Sequence, residues 1–336
     1  MVRLRRTSPD QSGWTRRRTG RGFAYLDASG ARLLQADADR VRDLVIPPAW
    51  RDVWVTPHVN GHLQAVGTDD AGRRQYLYHP EWRVRRDAEK FDRMLLFGKR
   101  LVKARELVLA DLGREGMPLE RACAAAVRLL DLGYFRIGND IYADENGSFG
   151  LTTLERRHVK RHQDRLVFSF VGKSGVDHRI EIDDQTVIAA VDIMRRRRGP
   201  HDPRLLAFKD GRSWRSMIPD LVNTYVRATT GVEATAKDFR TWHATVLAAA
   251  ALAESPEPGE TQASRKRAVS GAMKEVADFL GNTPTLARSS YVDPRVIEAY
   301  WSGRTIRGTT RRCHATPDER QTALERATLK LIKDVS

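Results

Sequence analysis

Residues 166–182, LVFSFVGKSGVDHRIEI, consist of two β-prone runs joined by Gly172-Lys173-Ser174-Gly175. A short glycine-containing turn between two such runs predicts a β-hairpin with Lys173 at its tip. On both sides of this hairpin, apolar residues recur at helical spacing. The predicted helices cover residues 119–132 before it and residues 184–197, 216–229 and 237–254 after it. The sequence therefore predicts a small β-sheet within a mainly helical region.

Two further helices follow a polar linker at residues 254–260. The first, at 265–280, is predicted to end at Gly281, because glycine adopts the left-handed conformation that closes many helices. Thr283 and Pro284 predict the start of a short helix, since threonine caps helices and proline suits the first helical position.

The amino-terminal part of the chain has a strand-and-turn pattern. Strand-like runs at 23–26 and 31–34 flank one turn signal, and runs at 63–68 and 75–78 flank another. Two hairpins are predicted from them. Helical spacing begins at Asp87, which places a domain boundary near this point.

The predicted fold class is α+β. A mainly-β domain at residues 1–86 precedes a larger, mainly-α domain with a small β-sheet at residues 87–310. A tail at 311–336 is amphipathic from about Asp318, which fits either a packing helix or a contact with a partner.

The charge of the chain indicates a polyanionic partner. Its 336 residues include 58 Lys and Arg against 43 Asp and Glu, a net charge of +15. The positive charge is clustered, for example at Arg195–Arg198. Double-stranded DNA is the simplest partner, because each neutralised phosphate releases condensed counterions. Solubility alone, or adaptation to an RNA-rich cytoplasm, is the alternative explanation of the charge.

Composition excludes several classes of protein. With 41% hydrophobic and 30% charged residues, the chain is typical of soluble globular proteins. No apolar run approaches the roughly 20 residues that span a bilayer, and no apolar stretch follows the basic start as it would in a signal peptide. Two cysteines, Cys123 and Cys313, cannot form a disulfide framework. A cytoplasmic, nucleoid-associated location is expected.

Two short motifs are rejected as sites. Gly172-Lys173-Ser174 resembles the end of a P-loop, but Val167 stands where the first glycine is required. His158 and His162 have the spacing of zinc ligands, but no glutamate follows the first histidine and basic residues crowd the pair. The two histidines are predicted instead on a basic helix that faces DNA or solvent. No metal and no cofactor are expected.

Three basic residues near turns and one tyrosine are candidate functional groups. Arg136 is flanked by apolar residues, and a guanidinium at the edge of a core is costly without an anionic partner. Lys173, Arg240 and Tyr291 lack such a local signal. A single basic residue is most often an exposed charge, and a tyrosine after a short helix is most often a packing residue.

Six stretches tie these residues together. They are residues 72–79 (GRRQYLYH), 134–139 (YFRIGN), 150–154 (GLTTL), 170–173 (FVGK), 237–245 (KDFRTWHAT) and 280–294, which begins LGNTP and ends SYVDP. Through them, in order and in spacing, the chain resembles the type IB DNA topoisomerases, in the small branch shared by poxviruses and bacteria. The resemblance spans nearly the whole chain and implies two lobes that close around a duplex as a C-shaped clamp.

The resemblance implies a catalytic set. Arg136, Lys173 and Arg240 take the roles of the family's two arginines and lysine, and Tyr291 takes that of the nucleophile. Asn282 occupies a position that is commonly histidine in the family. The implied monomeric enzyme relaxes supercoiled DNA through a transient 3′-phosphotyrosyl break in one strand, without ATP or an obligatory metal.

These residue types suit a transfer of phosphate from DNA to tyrosine. Negative charge builds on the non-bridging oxygens, so fixed cationic donors supply most of the catalysis. Lys173 is protonated at neutral pH and can protonate the leaving 5′ oxygen. Asn282 donates a hydrogen bond without charge, so we expect a smaller contribution from it than from a protonated histidine.

Contacts with DNA are also expected away from the catalytic set. Tyr76 and Tyr78 share one face of a predicted strand, either as a core pair or, as the resemblance implies, with Gln75 as major-groove contacts. Contacts with the DNA backbone are expected from further basic residues: Arg73, Arg74, Arg156, Arg157 and Lys160.

Two other functions stay open at this point. Tyrosine recombinases use the same catalytic set, but they usually have histidine three residues before the second arginine, where this chain has Lys237. Their amino-terminal arm is typically helical, whereas residues 1–85 have strand patterns. A non-catalytic DNA-binding protein is the second alternative, against which the four intact catalytic residues argue.

Overall fold

The computed structural model describes residues 3–133, 135–138, 147–198, 202–255 and 261–335. The chain divides into two units, Met1–Phe91 and Asp92–Ser336. The boundary between them along the chain falls inside a long helix, a few residues beyond the position near 86 that the sequence indicated. The segment 311–335 belongs to the second unit.

The first unit is built on a five-stranded antiparallel sheet in the order β2-β1-β3-β4-β5. Its strands are β1 (Trp14–Thr19), β2 (Gly22–Leu26), β3 (Arg51–Val55), β4 (Leu63–Thr68) and β5 (Arg74–Tyr78), and helix α1 (Gln35–Asp43) joins β2 to β3. Apolar side chains of the sheet and the helix form one core, which includes Trp14, Val41, Ile46, Val53, Val55 and Ala65. Burial of these side chains is the main stabilising force of the unit.

Of the two hairpins predicted here, one is confirmed in full and the other is confirmed at its turn but not in its second strand. Strands β4 and β5 pair as expected. The predicted turn after β2 is present: the Asp27 N–H donates to the carbonyl oxygen of Ala31 at 2.9 Å, and Leu26 forms an antiparallel bridge with Arg32. Residues 31–34 do not extend into a strand, and α1 begins at Gln35. Strand β2 also pairs with β1. Strand β1 escaped prediction because its three consecutive arginines hide the alternation of a strand.

The second unit is mainly helical. Its helices are α2 (Pro80–Leu112, shared with the first unit), α3 (Leu119–Gly133), α4 (Gln185–Arg196), α5 (Pro219–Thr230), α6 (Ala236–Glu254), α7 (Gln262–Leu280), α8 (Pro284–Ser290), α9 (Pro294–Trp301), α10 (Arg307–Thr310) and α11 (Pro317–Lys333). Trp242 of α6 is fully buried against Gly98 of α2, where a Cβ atom would lie 2.5 Å from the indole. This close approach fixes α6, the helix that carries Arg240.

Two small antiparallel sheets accompany these helices. The strands β6 (Val159–His162), β7 (Arg165–Val171) and β8 (Asp177–Ile182) form one, and β9 (Ala207–Asp210) and β10 (Ser213–Ser216) form the other. The hairpin predicted at 166–182 is confirmed as β7–β8, with Lys173–Gly175 as its turn. Phe168 of β7 is fully buried, and its ring lies 5.1 Å from that of Phe135, next to Arg136.

The basic helix predicted around His158 and His162 is wrong. Residues Arg156–His158 form a single 3₁₀ turn, and Val159–His162 form strand β6, paired with β7. The period of two in the strand places Val159 in the core and leaves Lys160 exposed.

The carboxyl-terminal tail contains a packing helix. Leu324, Glu325, Thr328, Leu331 and Ile332 of α11 are buried. The predicted polar linker at 254–260 lies mostly outside the described residues. In the part of the chain that the structure describes, no helix is both long and apolar enough to span a membrane.

Candidate active site

The corner between α7 and α8 is the scaffold of the site. Gly281 ends α7 in the left-handed conformation, with φ 60°. Thr283 then caps α8, its hydroxyl accepting a hydrogen bond from the Leu286 backbone N–H at 3.3 Å. The predicted helix end and helix start are both confirmed. The sharp turn leaves carbonyl oxygens of the corner available to side chains from other elements.

Arg136 binds this corner from the segment after α3. Its Nη2 donates to the carbonyl oxygen of Gly281 at 2.9 Å and to Oδ1 of Asn282 at 2.8 Å. Its Nη1 lies 3.4 Å from Nε2 of His178 in β8. The three partners hold the guanidinium in one orientation without neutralising its charge.

Arg240 reaches the same corner from α6. It is 4% exposed, and its Nη2 donates to the carbonyl oxygen of Leu280 at 2.7 Å. The two arginines therefore bind successive residues of one turn, Leu280 and Gly281. The Cζ atom of Arg240 lies 5.6 Å from the centre of the Tyr291 ring.

Tyr291 follows the last residue of α8 directly. Its backbone N–H donates to the carbonyl oxygen of Ala287 at 3.0 Å. Oγ1 of Thr245 in α6 donates to the Tyr291 carbonyl oxygen at 3.3 Å and accepts from the Asp293 N–H at 3.1 Å. Helix α6 thus fixes the backbone from Tyr291 to Asp293 and also supplies Arg240.

The electrostatics of the site favour an anion. Burial, and then the neighbouring Arg136, lower the pKa of Arg240 to about 10, while Tyr291 opposes this shift. Burial also lowers the pKa of Arg136. The pKa of His178 is lowered by burial first and then by both arginines, so its imidazole is neutral at pH 7. Two partly desolvated cations side by side are stabilised when an anion binds between them.

Lys173 lies on an exposed turn next to the other candidates. A Cβ atom on Gly172 would lie 2.5 Å from Cδ2 of His178, and one on Gly281 would lie 2.9 Å from Cε1 of the same ring. The base of the Lys173 turn and the α7–α8 corner thus both lie against His178. The structure brings Arg136, Arg240, Asn282 and Tyr291 together, and among the contacts of the described residues none joins Lys173 to these four.

A cleft of about 420 Å³ opens beside the two arginines. Its walls include His178, Phe170 and Phe279. Among the residues that the structure describes, no three His, Cys, Asp or Glu side chains are grouped as a metal would need.

The sequence analysis predicted no contact with the site for three residues that lie in it. His178 contacts Arg136, Thr245 holds Tyr291, and Nζ of Lys237 lies 5.9 Å from the centre of the Tyr291 ring. Lys237 precedes Arg240 by three residues, a spacing that puts both on one helix face. Only this spacing was available as a signal, because the contacts of His178 and Thr245 are tertiary.

The residues expected to contact the major groove of DNA lie on β5, an edge strand of the sheet in the first unit. Tyr76 and Tyr78 are 45% and 37% exposed, and their rings stack with centroids 6.2 Å apart. The alternative of a core aromatic pair is therefore wrong. Gln75 and Arg73 both donate to the carboxylate of Asp69 at 2.9 Å. Arg74 is exposed on the same face as the tyrosines.

The residues of the second unit that are expected to contact the DNA backbone differ in their surroundings. Arg156 donates to the carbonyl oxygens of Arg197 and Asp202, both at 3.3 Å. Arg157 pairs with Glu155, and Lys160 is exposed on β6. Arg156 therefore connects two segments of the fold by hydrogen bonds, a tertiary contact that its position in the sequence does not reveal.

The sequence is similar to proteins of one enzyme family in both parts of the chain. A family model described as the catalytic core of eukaryotic DNA topoisomerase I matches residues 79–304. A model of the amino-terminal domain of bacterial DNA topoisomerase IB matches residues 22–69.

Viral proteins are among the similar sequences. DNA topoisomerase 1B of Acanthamoeba polyphaga mimivirus is 28% identical over 285 residues, which cover 83% of this chain and 84% of the viral protein. DNA topoisomerase I of monkeypox virus and DNA topoisomerase 1B of vaccinia virus are each 23% identical, over 69% of this chain and 71% of the viral protein.

Proposed function

Because this chain belongs to the type IB DNA topoisomerase family, an isomerase family, we propose that it relaxes supercoiled DNA through a 3′-phosphotyrosyl intermediate at Tyr291. The supporting observation is that Arg136 and Arg240 bind one helix corner, next to the ring of Tyr291. Neither ATP nor a metal ion takes part in the proposed reaction, and one chain acts on one duplex.

The reaction is a transesterification. Oη of Tyr291 loses its proton to water and forms a bond to the scissile phosphorus, while the bond from phosphorus to the 5′ oxygen breaks. Lys173 donates a proton to the leaving 5′ oxygen, which becomes a free hydroxyl. Its turn is exposed, and Gly172 at the base of the turn lies against His178 of the site, so movement of the hairpin brings the ammonium over the leaving atom in this proposal.

Arg136 and Arg240 stabilise the transition state. Each planar guanidinium binds a non-bridging oxygen of the phosphate, where negative charge develops. Their orientation is set in advance by the carbonyl oxygens of residues 280 and 281, so little reorganisation accompanies the reaction. Asn282 keeps its Nδ2 buried without a hydrogen-bond partner among the described residues, and this N–H group is available to a phosphate oxygen.

The covalent intermediate allows relaxation and religation. The phosphotyrosyl ester keeps the energy of the broken phosphodiester, so the 5′ hydroxyl can attack it and restore the strand without a nucleotide. Before that, the duplex rotates about its intact strand and loses supercoils. Exposed Tyr76, Tyr78 and Arg74 of β5 contact the bound duplex in this proposal, with Arg156, Arg157 and Lys160 on its phosphates.

Relaxation of a supercoiled plasmid in EDTA without ATP tests this proposal. We expect relaxed topoisomers from the native protein and none from Tyr291→Phe. Equal activity of the two proteins, or no relaxation by the native protein, contradicts it. Recombination between defined sites without general relaxation would point to a tyrosine recombinase, and DNA binding without a covalent adduct to a non-catalytic binding protein.

A further inference from the structure

Two basic stretches whose contacting residues, Arg156 and Arg197, are 41 positions apart in the sequence meet in the second unit. Nη1 of Arg156 donates to the carbonyl oxygen of Arg197 at 3.3 Å. Arg197 in turn donates through Nη1 to the carbonyl oxygens of Met194 at 2.8 Å and Leu205 at 2.9 Å. These acceptors are neutral, so both guanidinium groups keep their positive charge.

An aromatic side chain completes this cationic surface. The ring of Trp214 in β10 has the Cζ of Arg197 at 5.9 Å and the Nζ of Lys209 at 5.8 Å from its centre. Arg156, Arg197, Arg198, Trp214 and Arg215 line a cleft of about 40 Å³, which we name the Trp214 pocket. Its volume allows a few water molecules, which phosphate oxygens can replace.

Positive charge exceeds negative charge in the Trp214 pocket. Among the described residues, four arginines and one carboxylate, that of Asp202, line it. Asp202 already accepts hydrogen bonds from the hydroxyl of Ser216 and from the backbone N–H of Arg204 at 3.0 Å. Burial lowers the pKa of Arg197, and the nearby Arg156 lowers it further. An anion in the pocket relieves both effects.

The pocket lies within reach of DNA held at the active site. The backbone N–H of Leu151 donates to the carbonyl oxygen of Arg136 at 2.8 Å. Arg156 lies five positions after Leu151 in the sequence, and an extended chain spans at most about 18 Å over five residue steps. The backbones of Arg136 and Arg156 are thus closer together than one turn of B-DNA, about 34 Å.

On the basis of the proposed function, we propose that the Trp214 pocket binds one backbone phosphate of the DNA, several nucleotides from the scissile phosphate. The contact is independent of base sequence, because arginine bound to a phosphate oxygen carries no information about the base. It anchors the duplex while the strand at Tyr291 is broken.

The salt dependence of DNA binding tests this inference. Full-length protein with Arg198→Gln and Arg215→Gln together is compared with native protein on a short duplex between 50 and 200 mM salt. Both side chains are exposed, so the fold is expected to persist, and a melting curve checks this. We expect the slope of log K against log salt to shrink by about 0.9, so that the loss of affinity over this range is about 3.5-fold smaller.

Two further variants separate a phosphate contact from other effects. Arg320→Gln removes an arginine that pairs with Glu254 at 3.1 Å, much as Arg215 pairs with Asp210 at 2.8 Å, and it should keep the native slope. The double variant Arg198→Lys, Arg215→Lys keeps both positive charges and should also keep the native slope. An unchanged slope in the double glutamine variant, or an equal change in Arg320→Gln, overturns the inference. Because binding needs no cleavage, this result is separate from that of plasmid relaxation.

Discussion

Arg136 and Arg240 illustrate at the residue scale how buried charge marks a reaction centre. A guanidinium that is removed from water loses solvation, which neutral carbonyl acceptors restore only in part. Here two such groups bind adjacent carbonyls of residues 280 and 281; burial lowers the pKa of both, and Arg136 lowers that of Arg240 further. A bound phosphate supplies the missing negative charge, so the cost to stability is offset when the substrate binds.

Replacement of Arg240 should have a larger effect than replacement of Asn282. We expect Arg240→Ala to slow formation of the covalent adduct by about 10²–10³-fold, because it removes a charged donor to the developing negative charge. Asn282→Ala should slow it less, since an amide donates without charge. Single-turnover cleavage of a labelled duplex measures both rates, and melting curves show that each variant is folded. Equal losses in the two variants would contradict this ranking.

His178 should make the stability of the protein depend on pH. Its pKa in the folded protein lies below the usual value of 6.5, through burial and the two arginines. Below about pH 6.5 the unfolded chain therefore binds more protons than the folded one, and stability falls as the pH falls through this window. We expect His178→Gln to lose less stability than the native protein between pH 7.5 and 5.5.

Urea unfolding at the two pH values measures this effect. The other histidines with a lowered pKa, His62 and His158, are present in both proteins, so their contributions cancel. The account of His178 is contradicted if native protein and variant differ in unfolding free energy by the same amount at both pH values.

At the scale of elements, the α7–α8 corner depends on Gly281. Its φ of 60° costs other residues roughly 1–2 kcal/mol, and a Cβ atom would also lie 2.9 Å from the His178 ring. We expect Gly281→Ala to destabilise the protein and to slow cleavage, because the carbonyls that orient Arg136 and Arg240 are displaced.

Gly231→Ala is the matched control for this prediction. Gly231 ends α5 with φ 64°, and no atom lies within 4 Å of its Cβ position. The variant should therefore show the backbone cost in thermal unfolding while it keeps the native cleavage rate. If both variants cleave DNA at the native rate, the corner does not position the arginines.

Local patterns predicted the elements around the site well. Gly281, Thr283 and Pro284 marked the ends of α7 and α8, and Gly172–Gly175 marked the β7–β8 turn, because capping and turn chemistry depend on neighbouring residues. Elements stabilised mainly by tertiary contacts escaped prediction. Strand β1 is an example, since Arg16 reaches the carbonyl oxygens of Ile46 and Pro47 across the first unit.

The site itself could be predicted only in part. The motifs identified Arg136, Arg240, Asn282 and Tyr291 individually. The convergence of these four side chains depends on how α6 packs beside the α7–α8 corner. The role of Thr245 as a hydrogen-bond partner of the Tyr291 segment likewise arises from a contact across 46 residues. Periodicity and spacing contain no information about such contacts.

At the scale of the whole molecule, buried ion pairs join distant helices of the second unit. Arg105 of α2 binds Asp131 of α3 at 2.7 Å and Glu325 of α11 at 2.8 Å. Asp131 also lies 2.9 Å from Nε2 of His243 in α6, three residues after Arg240. Helix α11 is in this way part of the framework that holds the catalytic helix.

Loss of Glu325 should therefore weaken the whole second unit. Glu325 is buried, and removing one partner of a buried ion pair leaves an uncompensated charge, so we expect Glu325→Ala to cost about 3 kcal/mol of unfolding free energy. Arg320→Ala on the same helix breaks an exposed pair and should cost less than about 1 kcal/mol. Denaturant unfolding compares them, and equal costs would show that the buried pairs contribute nothing special.

Attachment of a strand to Tyr291 is the most direct test of the proposed reaction. A duplex labelled at the 5′ end of the cleaved strand is incubated with the protein, stopped with detergent and separated on a denaturing gel. We predict that the 5′ label migrates with the native protein, that a label at the 3′ end does not, and that Tyr291→Phe retains neither. Retention of the 3′ label, or an adduct with Tyr291→Phe, would contradict the assignment of Tyr291 as the nucleophile.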